Sequence, residues 1–249
     1  MPATDTVSAP ALSSASSLDD QARRAAAARA GGVYLLTPDV AAADFEAFVP
    51  RCAAALSAGV ALLQYRNKLA TPGERRRQAV ALQVLARRHG ALFIVNDDVE
   101  LAQAIAADGV HLGRDDGDIA AARRQLPRAL LGASCYDDLG RAQRAADAGA
   151  DLLAFGSVFR STTKPLAVHA PLSLLRSARE RFPAQRIVAI GGITAANIAT
   201  VAACGAHAAA VIGAVFDRTD PAAAVRELQQ TFSEGLTDHG SHHDERTTV

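Results

Sequence analysis

Basic and amide side chains alternate along one apolar run of the sequence. In the segment LLQYRNK these are Gln64, Arg66 and Lys68, and alternate residues of a β-strand face the same side. The planar guanidinium of arginine and the point charge of lysine together suit a multiply charged anion. An ordinary solvated strand end is the alternative, so this motif alone leaves anion binding and surface charge equally open.

Carboxylates follow the next two apolar runs, where they would serve a hard cation. FIVNDD places Asn96, Asp97 and Asp98 directly after an apolar run, and GVHLGRDD places Asp115 and Asp116 in the following loop. Mg²⁺ is commonly held by one or two carboxylates together with substrate phosphates and water. Capping of a helix N-terminus is the alternative for Asp98 and for Asp115 or Asp116. We assign Asp98 to capping and the pair Asp97 and Asp116 to a metal.

Hydroxyls, glycines and a further lysine follow the last three apolar runs. FGSVFRSTTKP supplies Ser161, Thr162 and Thr163 and then Lys164. A Ser/Thr-rich turn means little by itself, but the adjacent lysine favours anion binding. AIGGIT and VIG then supply Gly191, Gly192, Ile212 and Gly213, whose backbone amides suit a phosphate, although a tight turn explains the glycines equally well. The sequence thus suggests a second anion site.

Two other polar residues near these motifs receive no catalytic role. His111 would face the barrel interior, where a hydrogen-bonded structural histidine is favoured over a proton carrier. Cys135 follows Ser134, and a small buried residue is favoured there over a nucleophile. The cysteines at positions 52, 135 and 204 lack metal-binding spacing and indicate a reduced, cytoplasmic protein.

The elements that must position these residues are eight short apolar runs separated by Ala-rich stretches long enough for helices. The runs cover residues 33–37, 60–66, 91–97, 109–113, 130–134, 151–157, 186–192 and 208–213. This alternation predicts a single (β/α)8 TIM barrel, whose site is built from the loops after the carboxyl ends of the strands. The polar motifs are therefore expected to converge.

The 249 residues suffice for one barrel, which we place at 31–234, between an N-terminal extension (1–30) and a polar tail (235–249). We expect the extension to be a disordered leader passing into a short helix near Asp19 to Ala30. An organelle transit peptide is the less favoured alternative. His239, His242 and His243 in the tail are assigned to a frayed terminus and not to a metal.

Charge and hydropathy give little support for macromolecular partners. The formal net charge is zero, so neither a nucleic acid nor a membrane surface is expected to bind. No apolar stretch approaches the roughly 18 residues of a membrane span. The arginines at 75–77 and 87–88 are interpreted as solvated helix faces. Oligomeric state stays open, a homo-oligomer included.

Seven motifs in this order resemble the thiamine-phosphate synthase family: YLLTPD, QYRNK, FIVNDD, GVHLGRDD, GASCY, FGSVFRSTTKP and AIGGIT. The resemblance covers about residues 33 to 230. It implies a barrel enzyme, a Mg²⁺-dependent transferase of thiamine biosynthesis. The reaction joins 4-amino-2-methyl-5-(diphosphooxymethyl)pyrimidine to 4-methyl-5-(2-phosphooxyethyl)thiazole, giving thiamine phosphate and diphosphate. Two phosphorylated substrates match the two anion sites inferred above.

The resemblance also implies roles for individual residues. The pyrimidine diphosphate would be bound by Gln64, Tyr65, Arg66, Asn67, Lys68, Asn96, Ser134 and Lys164. Arg66, Lys68 and Lys164 would hold its phosphates and count as catalytic. Asp97 and Asp116 would hold Mg²⁺. The thiazole phosphate would be bound by Ser161, Thr162, Thr163, Gly192, Ile212 and Gly213.

Three positions depart from the family pattern. Asn67 stands where the family often has Glu, Arg114 where it often has Gln, and Ser161 where it often has Thr. Asn67 should face away from its basic neighbours by strand alternation, and Ser161 keeps the hydroxyl. Arg114 adds a cation near the predicted metal, with its contacts left open.

The family's reaction is dissociative: the diphosphate departs, and the thiazole nitrogen captures a pyrimidine methylene cation. Such chemistry needs no strong protein nucleophile, and none of the marked residues forms a convincing nucleophile–base pair. Two alternatives are a thiazole phosphate tautomerase on a similar barrel and a non-catalytic phosphate-binding barrel. The combined basic and acidic residues favour the synthase over both.

Overall fold

A closed barrel of eight parallel strands forms the centre of the computed structural model, which describes residues 12–160 and 168–241. The strands are β1 (Gly32–Leu36), β2 (Leu62–Tyr65), β3 (Leu92–Asn96), β4 (Gly109–Leu112), β5 (Leu130–Tyr136), β6 (Leu152–Phe155), β7 (Arg186–Ile190) and β8 (Ala208–Val211). Sequence order is also barrel order, and β1 pairs with β8 to close the sheet. The predicted (β/α)8 barrel is confirmed, with one strand in each apolar run.

Helices alternate with the strands and form the outer layer. They are α1 (Leu12–Arg29), α2 (Phe45–Ser57), α3 (Pro72–Arg88), α4 (Val99–Ala104), α5 (Ile119–Gln125), α6 (Leu139–Asp147), α7 (Leu172–Arg181), α8 (Ile198–Ala203), α9 (Gly213–Phe216) and α10 (Pro221–Ser241). Local sequence sets the start of α3, where Thr71 and Glu74 form a capping box and Pro72 takes the first helical position. That start fixes where the loop after β2 ends.

Strand side chains alternate between two apolar clusters. Odd-numbered β2 and β3 residues such as Leu63 and Phe93 pack outward against the helices, whereas Leu62 and Ile94 point into the barrel. Inside the barrel the large Tyr34 lies in register with the small Ala210. The interior is therefore filled with side chains, as a packed barrel requires, and a ligand must bind at the mouth.

The N-terminal helix packs against the amino-terminal end of the barrel. Ala27 of α1 and Ala30, directly after the helix, are buried in the interior cluster, together with Leu92, Leu130 and Leu152 from the beginnings of their strands. The helix begins at Leu12 and not near Asp19, so the expected short helix was too short. Alanine-rich sequence favours the helix, and the small alanine side chains let it approach the strand ends closely.

The last helix extends further than the sequence indicated. Residues from Gly235 were assigned to a frayed tail, yet α10 continues to Ser241, and His242 and His243 lie outside the described residues. A Cβ at Gly235 would clash with the backbone of Ala199 in α8, so glycine here permits close packing of the two helices. In the described part of the chain, no helix is long and apolar enough to span a bilayer.

A buried charge cluster fastens α1 to the barrel. Asp151, at the start of β6, accepts hydrogen bonds from Arg23 of α1 at 2.6 Å and from Arg123 of α5 at 2.7 Å. It also accepts from the backbone N–H of Leu131 at 2.9 Å. Asp20 is a second, more exposed partner of Arg23. One buried carboxylate therefore neutralises two arginines from different helices.

Replacing Asp151 by asparagine should destabilise the fold strongly. Asp151→Asn keeps an acceptor for Leu131 but removes the buried charge that Arg23 and Arg123 share, and leaves only the exposed Asp20 to Arg23, a change that costs about 3 to 5 kcal/mol. Denaturant unfolding measures the loss. The matched control is Asp20→Asn, which removes only the exposed partner of Arg23 and should change stability little. Equal stability of the two variants would contradict the role given to Asp151.

Candidate active site

A cavity of about 360 Å³ opens at the carboxyl ends of β2, β3 and β4. The loops after these three adjacent strands supply its walls, because parallel strands of a barrel all end at the same face. Of the residues predicted to bind ligand or metal, it is lined by Tyr65, Arg66, Asn67, Lys68, Asn96, Asp97 and Asp116. Three separate sequence motifs are therefore brought together.

The loop after β2, and not the strand itself, places the two predicted cations. β2 ends at Tyr65, so strand alternation explains only Gln64, which points into the barrel and donates a hydrogen bond to the Tyr34 hydroxyl at 2.8 Å. The expectation that Gln64, Arg66 and Lys68 alternate along one strand was wrong for the latter two. Their arrangement depends on loop contacts that the strand period does not encode.

Two residues after β1, missed by the sequence analysis, hold this loop. The Thr37 hydroxyl donates to the Arg66 carbonyl at 2.7 Å and accepts from its backbone N–H at 2.8 Å. The Asp39 carboxylate accepts from the Arg66 guanidinium at 2.9 Å and from the Lys68 backbone N–H at 2.7 Å. Polar residues immediately after the first strand, in YLLTPD, were the available signal. Thr37 and Asp39 thus position both cations.

The side chains of Tyr65 and Asn67 are engaged with the helix layer. Tyr65 donates to the Gln78 side-chain oxygen at 2.8 Å, and Asn67 donates to the same oxygen at 3.0 Å and to the Val40 carbonyl at 2.7 Å. The Asn67 oxygen accepts from the backbone N–H of Leu69. These contacts stabilise the cavity wall from behind, and the substrate-binding role of both residues stays a prediction.

The Asp97 and Asp116 carboxylates lie beside each other in the cavity lining. Partial burial raises the pKa of Asp97, and the neighbouring Asp116 carboxylate raises it further. The Lys68 ammonium, 3.7 Å from Asp97, and the Asn96 side chain oppose that shift in pKa. A Cβ at Gly113 would clash with the Asp116 carboxylate. The two carboxylates are therefore held together despite their repulsion.

The other acidic residues of these loops are not part of the Asp97–Asp116 pair. Asp98 accepts from the backbone N–H of Leu101 at 2.8 Å at the start of α4, which confirms its assignment to capping. α5 is capped by Asp118, which accepts from Ala121 at 2.6 Å. Neither Asp115 nor Asp116 caps a helix among the described residues. Asp115 is exposed and does not line the cavity.

His111 and Ser134 lie beneath the mouth on adjacent strands, β4 and β5. The His111 Nε2 and the Ser134 hydroxyl are 2.9 Å apart. Burial lowers the pKa of His111 to about 4, so the imidazole is neutral near pH 7. Its Nδ1 is buried and finds no partner among the described residues. Cys135 points outward into the helix layer, and burial raises its pKa to about 12.

Two arginines have positions that the sequence either misassigned, for Arg75, or left open, for Arg114. Arg75 was assigned with its neighbours to a solvated helix face, but it lines the cavity, whereas Arg76 is exposed. The first turn of α3 points toward the mouth, which a helical period alone could not indicate. Arg114 is exposed, and its guanidinium stacks over the Tyr136 ring at 4.7 Å from the ring centroid.

Glycines mark the ends of β7 and β8 on the other side of the mouth. Gly191 and Gly192 follow β7 with φ angles of 102° and 66°, a conformation that favours glycine. Ile212 and Gly213 follow β8, which pairs with β7. Ser161, Thr162, Thr163 and Lys164 lie outside the described residues. The predicted thiazole phosphate site is therefore only partly represented among the described residues.

Comparison with known proteins decides the family. Residues 33–215 match the family model described as thiamine monophosphate synthase. A thiamine-phosphate synthase from Chromobacterium violaceum is 55% identical over 205 residues, covering 82% of this chain and 97% of that protein. This chain belongs to the thiamine-phosphate synthase family. Its function is the synthesis of thiamine phosphate in thiamine biosynthesis, and it is a transferase.

Other relatives agree. The thiamine-phosphate synthase of Halorhodospira halophila is 53% identical over 201 residues, covering 79% of this chain and 92% of that protein. The solved structure of a thiamine phosphate pyrophosphorylase from Pyrococcus furiosus is 36% identical with a TM-score of 0.73. It covers 82% of this chain and 96% of that one. The resemblance found in the motifs is therefore confirmed over the barrel, and small phosphorylated substrates are implied.

The buried Gln64–Tyr34 hydrogen bond makes a prediction about stability. Gln64→Leu leaves the Tyr34 hydroxyl buried without its donor and should lower the free energy of unfolding by about 1 to 3 kcal/mol. The double variant with Tyr34→Phe removes both partners and should recover most of that loss. Denaturant unfolding of the four proteins in the cycle measures both. Additive losses in the double variant would show that the two side chains do not interact.

Proposed function

We propose that the described cavity binds the pyrimidine diphosphate, with Mg²⁺ between Asp97 and Asp116, and that the β6–β8 loops bind the thiazole phosphate. The observation that carries this proposal is the pairing of two carboxylates with Arg66 and Lys68 in one cavity. Such a mixture of charges fits a metal–diphosphate complex better than it fits either a free anion or a free cation.

The chemistry of the donor set fits Mg²⁺. Asp97 and Asp116 are hard oxygen donors that repel each other, and a divalent cation between them would turn this repulsion into attraction. No cluster of three or more His, Cys, Asp or Glu exists in the described ranges 12–160 and 168–241. Two carboxylates suffice for Mg²⁺ when substrate phosphates and water complete the shell.

The reaction breaks the bond between the pyrimidine methylene carbon and the diphosphate oxygen, and the electron pair leaves with the diphosphate. Bound Mg²⁺ supplies charge stabilisation for this leaving group. Arg66 and Lys68 would bind the same oxygens. Asp39 holds the Arg66 guanidinium and the Lys68 backbone N–H, so the Arg66 charge is already in place and need not reorganise. The thiazole nitrogen then donates its pair to the methylene carbon and forms the new C–N bond.

Positioning, and not a protein nucleophile, supplies the remaining catalysis. His111 is neutral near pH 7 and bonded to Ser134, and Cys135 faces away from the mouth. We assign Asn96 and Ser134 to contacts with the pyrimidine. Asn96 is the last residue of β3, and Ser134 lies near the end of β5. Two substrates held in line convert a bimolecular reaction into an effectively unimolecular one.

The thiazole phosphate is proposed to bind at the ends of β7 and β8, with the residues at 161–164 as further ligands. Gly192 has a positive φ, and a Cβ there would clash with the backbone of Arg160, so only glycine fits at this strand end. Ile212 and Gly213 lie at the end of the neighbouring strand. Lys164 is proposed to bind the diphosphate, as the resemblance to the family implies.

A cytoplasmic location is part of the proposal. It is supported by the three cysteines, all in the described residues and all free of disulfide bonds, and by the biosynthetic role of the family. We expect neither nucleic acid nor membrane partners, since the net charge is zero. A homo-oligomer is compatible with these properties.

The metal assignment is tested by three single substitutions in adjacent loops. Asp97→Asn and Asp116→Asn each keep the size of the side chain but remove a metal-binding charge. We expect each to lower turnover at saturating substrate by about a hundredfold or more, in line with loss of transition-state charge stabilisation, and to raise the Mg²⁺ concentration needed for half-maximal rate.

Asp115→Asn is the matched control, because Asp115 directly precedes Asp116 and is exposed like it, but lies outside the cavity. Its turnover and Mg²⁺ requirement should equal those of the unchanged protein. Near-normal turnover of either Asp97→Asn or Asp116→Asn at ordinary Mg²⁺ concentration would refute the metal role of that residue.

A further inference from the structure

Arg75 lines the cavity, and its guanidinium makes no side-chain hydrogen bond within the described residues. Its Nε is buried and has no hydrogen-bond partner among the described residues, and its Nη1 lies 3.8 Å from the Asp98 carboxylate, beyond hydrogen-bonding distance. Arg66 in the same cavity and Arg77 in the same helix donate side-chain hydrogen bonds of 2.9 and 3.0 Å. The guanidinium of Arg75 therefore has donors available at the cavity wall.

The place of Arg75 in α3 sharpens this contrast. It lies in the first turn of the helix, three residues after Pro72, where the helix dipole disfavours a positive side chain. Glu74, the acidic residue of this first turn, is engaged in the capping box with Thr71. An anion in the cavity would offset the unfavourable position of the Arg75 charge.

The charges of the cavity leave Arg75 free for such an anion. The lining contains three cations, Arg66, Lys68 and Arg75, and three carboxylates, Asp97, Asp98 and Asp116. Two of the carboxylates are assigned to Mg²⁺, and one oxygen of Asp98 caps α4. Once a divalent cation is bound, the positive charges exceed the negative ones, as a diphosphate requires.

We propose that Arg75 is a third cation for the diphosphate group of the pyrimidine substrate, beside Arg66 and Lys68. This inference rests on the proposed function of the cavity. A guanidinium presents two parallel N–H donors to phosphate oxygens. Because Arg75 binds the diphosphate both before and after bond cleavage, it contributes to the affinity for substrate and for released diphosphate more than to the rate of the bound complex.

The test compares Arg75→Ala and Arg75→Lys with Arg76→Ala, which removes the same charge from the next residue on the exposed side of α3. Arg75→Ala should raise KM for the pyrimidine diphosphate about tenfold or more, as expected for a lost charge-assisted hydrogen bond. Inhibition by inorganic diphosphate should weaken by a similar factor, and KM for the thiazole phosphate should not change. Arg75→Lys should lie between, and Arg76→Ala should match the unchanged protein.

A second variant separates ligand binding from a purely structural role. Asp98→Asn keeps the cap of α4 but removes the charge facing Arg75, and it should bind Mg²⁺–diphosphate no more weakly than the unchanged protein. If Asp98→Asn reproduced the loss seen in Arg75→Ala, Arg75 would act only through Asp98 and the proposal would be overturned. An unchanged KM and unchanged diphosphate inhibition in Arg75→Ala would overturn it as well.

Calorimetric titration with inorganic diphosphate and Mg²⁺ distinguishes this proposal from the function on which it rests. If the unchanged protein showed no turnover but bound diphosphate more tightly than Arg75→Ala does, the proposed function would be refuted. Arg75 would still be an anion-binding residue. Turnover with both substrates, together with Arg75-independent binding, would retain the function and refute the role of Arg75.

Discussion

The closeness of the Asp97 and Asp116 carboxylates is the constraint on which the site depends. Two like charges beside each other in a partly buried cavity are unfavourable, as the raised pKa of Asp97 reflects. Barrel closure enforces this arrangement, because β3 and β4 are paired neighbours whose loops must share the mouth. The Lys68 ammonium lies 3.7 Å from the Asp97 carboxylate and offsets only part of the repulsion between Asp97 and Asp116. In the proposed function this pair would hold a divalent cation, and the cation would bring the diphosphate to the basic residues nearby.

Much of the fold followed from hydrophobic pattern. Each of the eight apolar runs contains a strand, since runs of that length between helical segments fit a buried parallel sheet. Once the barrel is inferred, its geometry alone gathers Lys68, Asn96 and Asp116 at one face. The ends of the chain were less predictable: α1 and α10 extend beyond the expected limits because they pack on the barrel, through Ala27 and Gly235, and such tertiary contacts leave no period in the sequence.

Side-chain placement in the site was predictable only where a strand or cap determined it. Gln64 faces inward by alternation, and Asp98 caps α4 through a local bond. The placement of Arg66 on a strand and the assignment of Arg75 to a solvated face were wrong because tertiary contacts, and not local periodicity, place both side chains. Asp39 holds the first across 27 residues, and the approach of α3 to the mouth places the second. Residues beyond the strand ends thus need the tertiary structure for their assignment.

The most direct test of the account measures diphosphate release by the purified protein, with the organic product identified by mass. We predict release only when the pyrimidine diphosphate, the thiazole phosphate and Mg²⁺ are all present, with thiamine phosphate formed in equal amount. Omission of either substrate, or addition of a metal chelator, should abolish both signals. Full release with a chelator present would contradict the metal-assisted site at Asp97 and Asp116, and binding of the thiazole phosphate without any release would contradict the synthase itself.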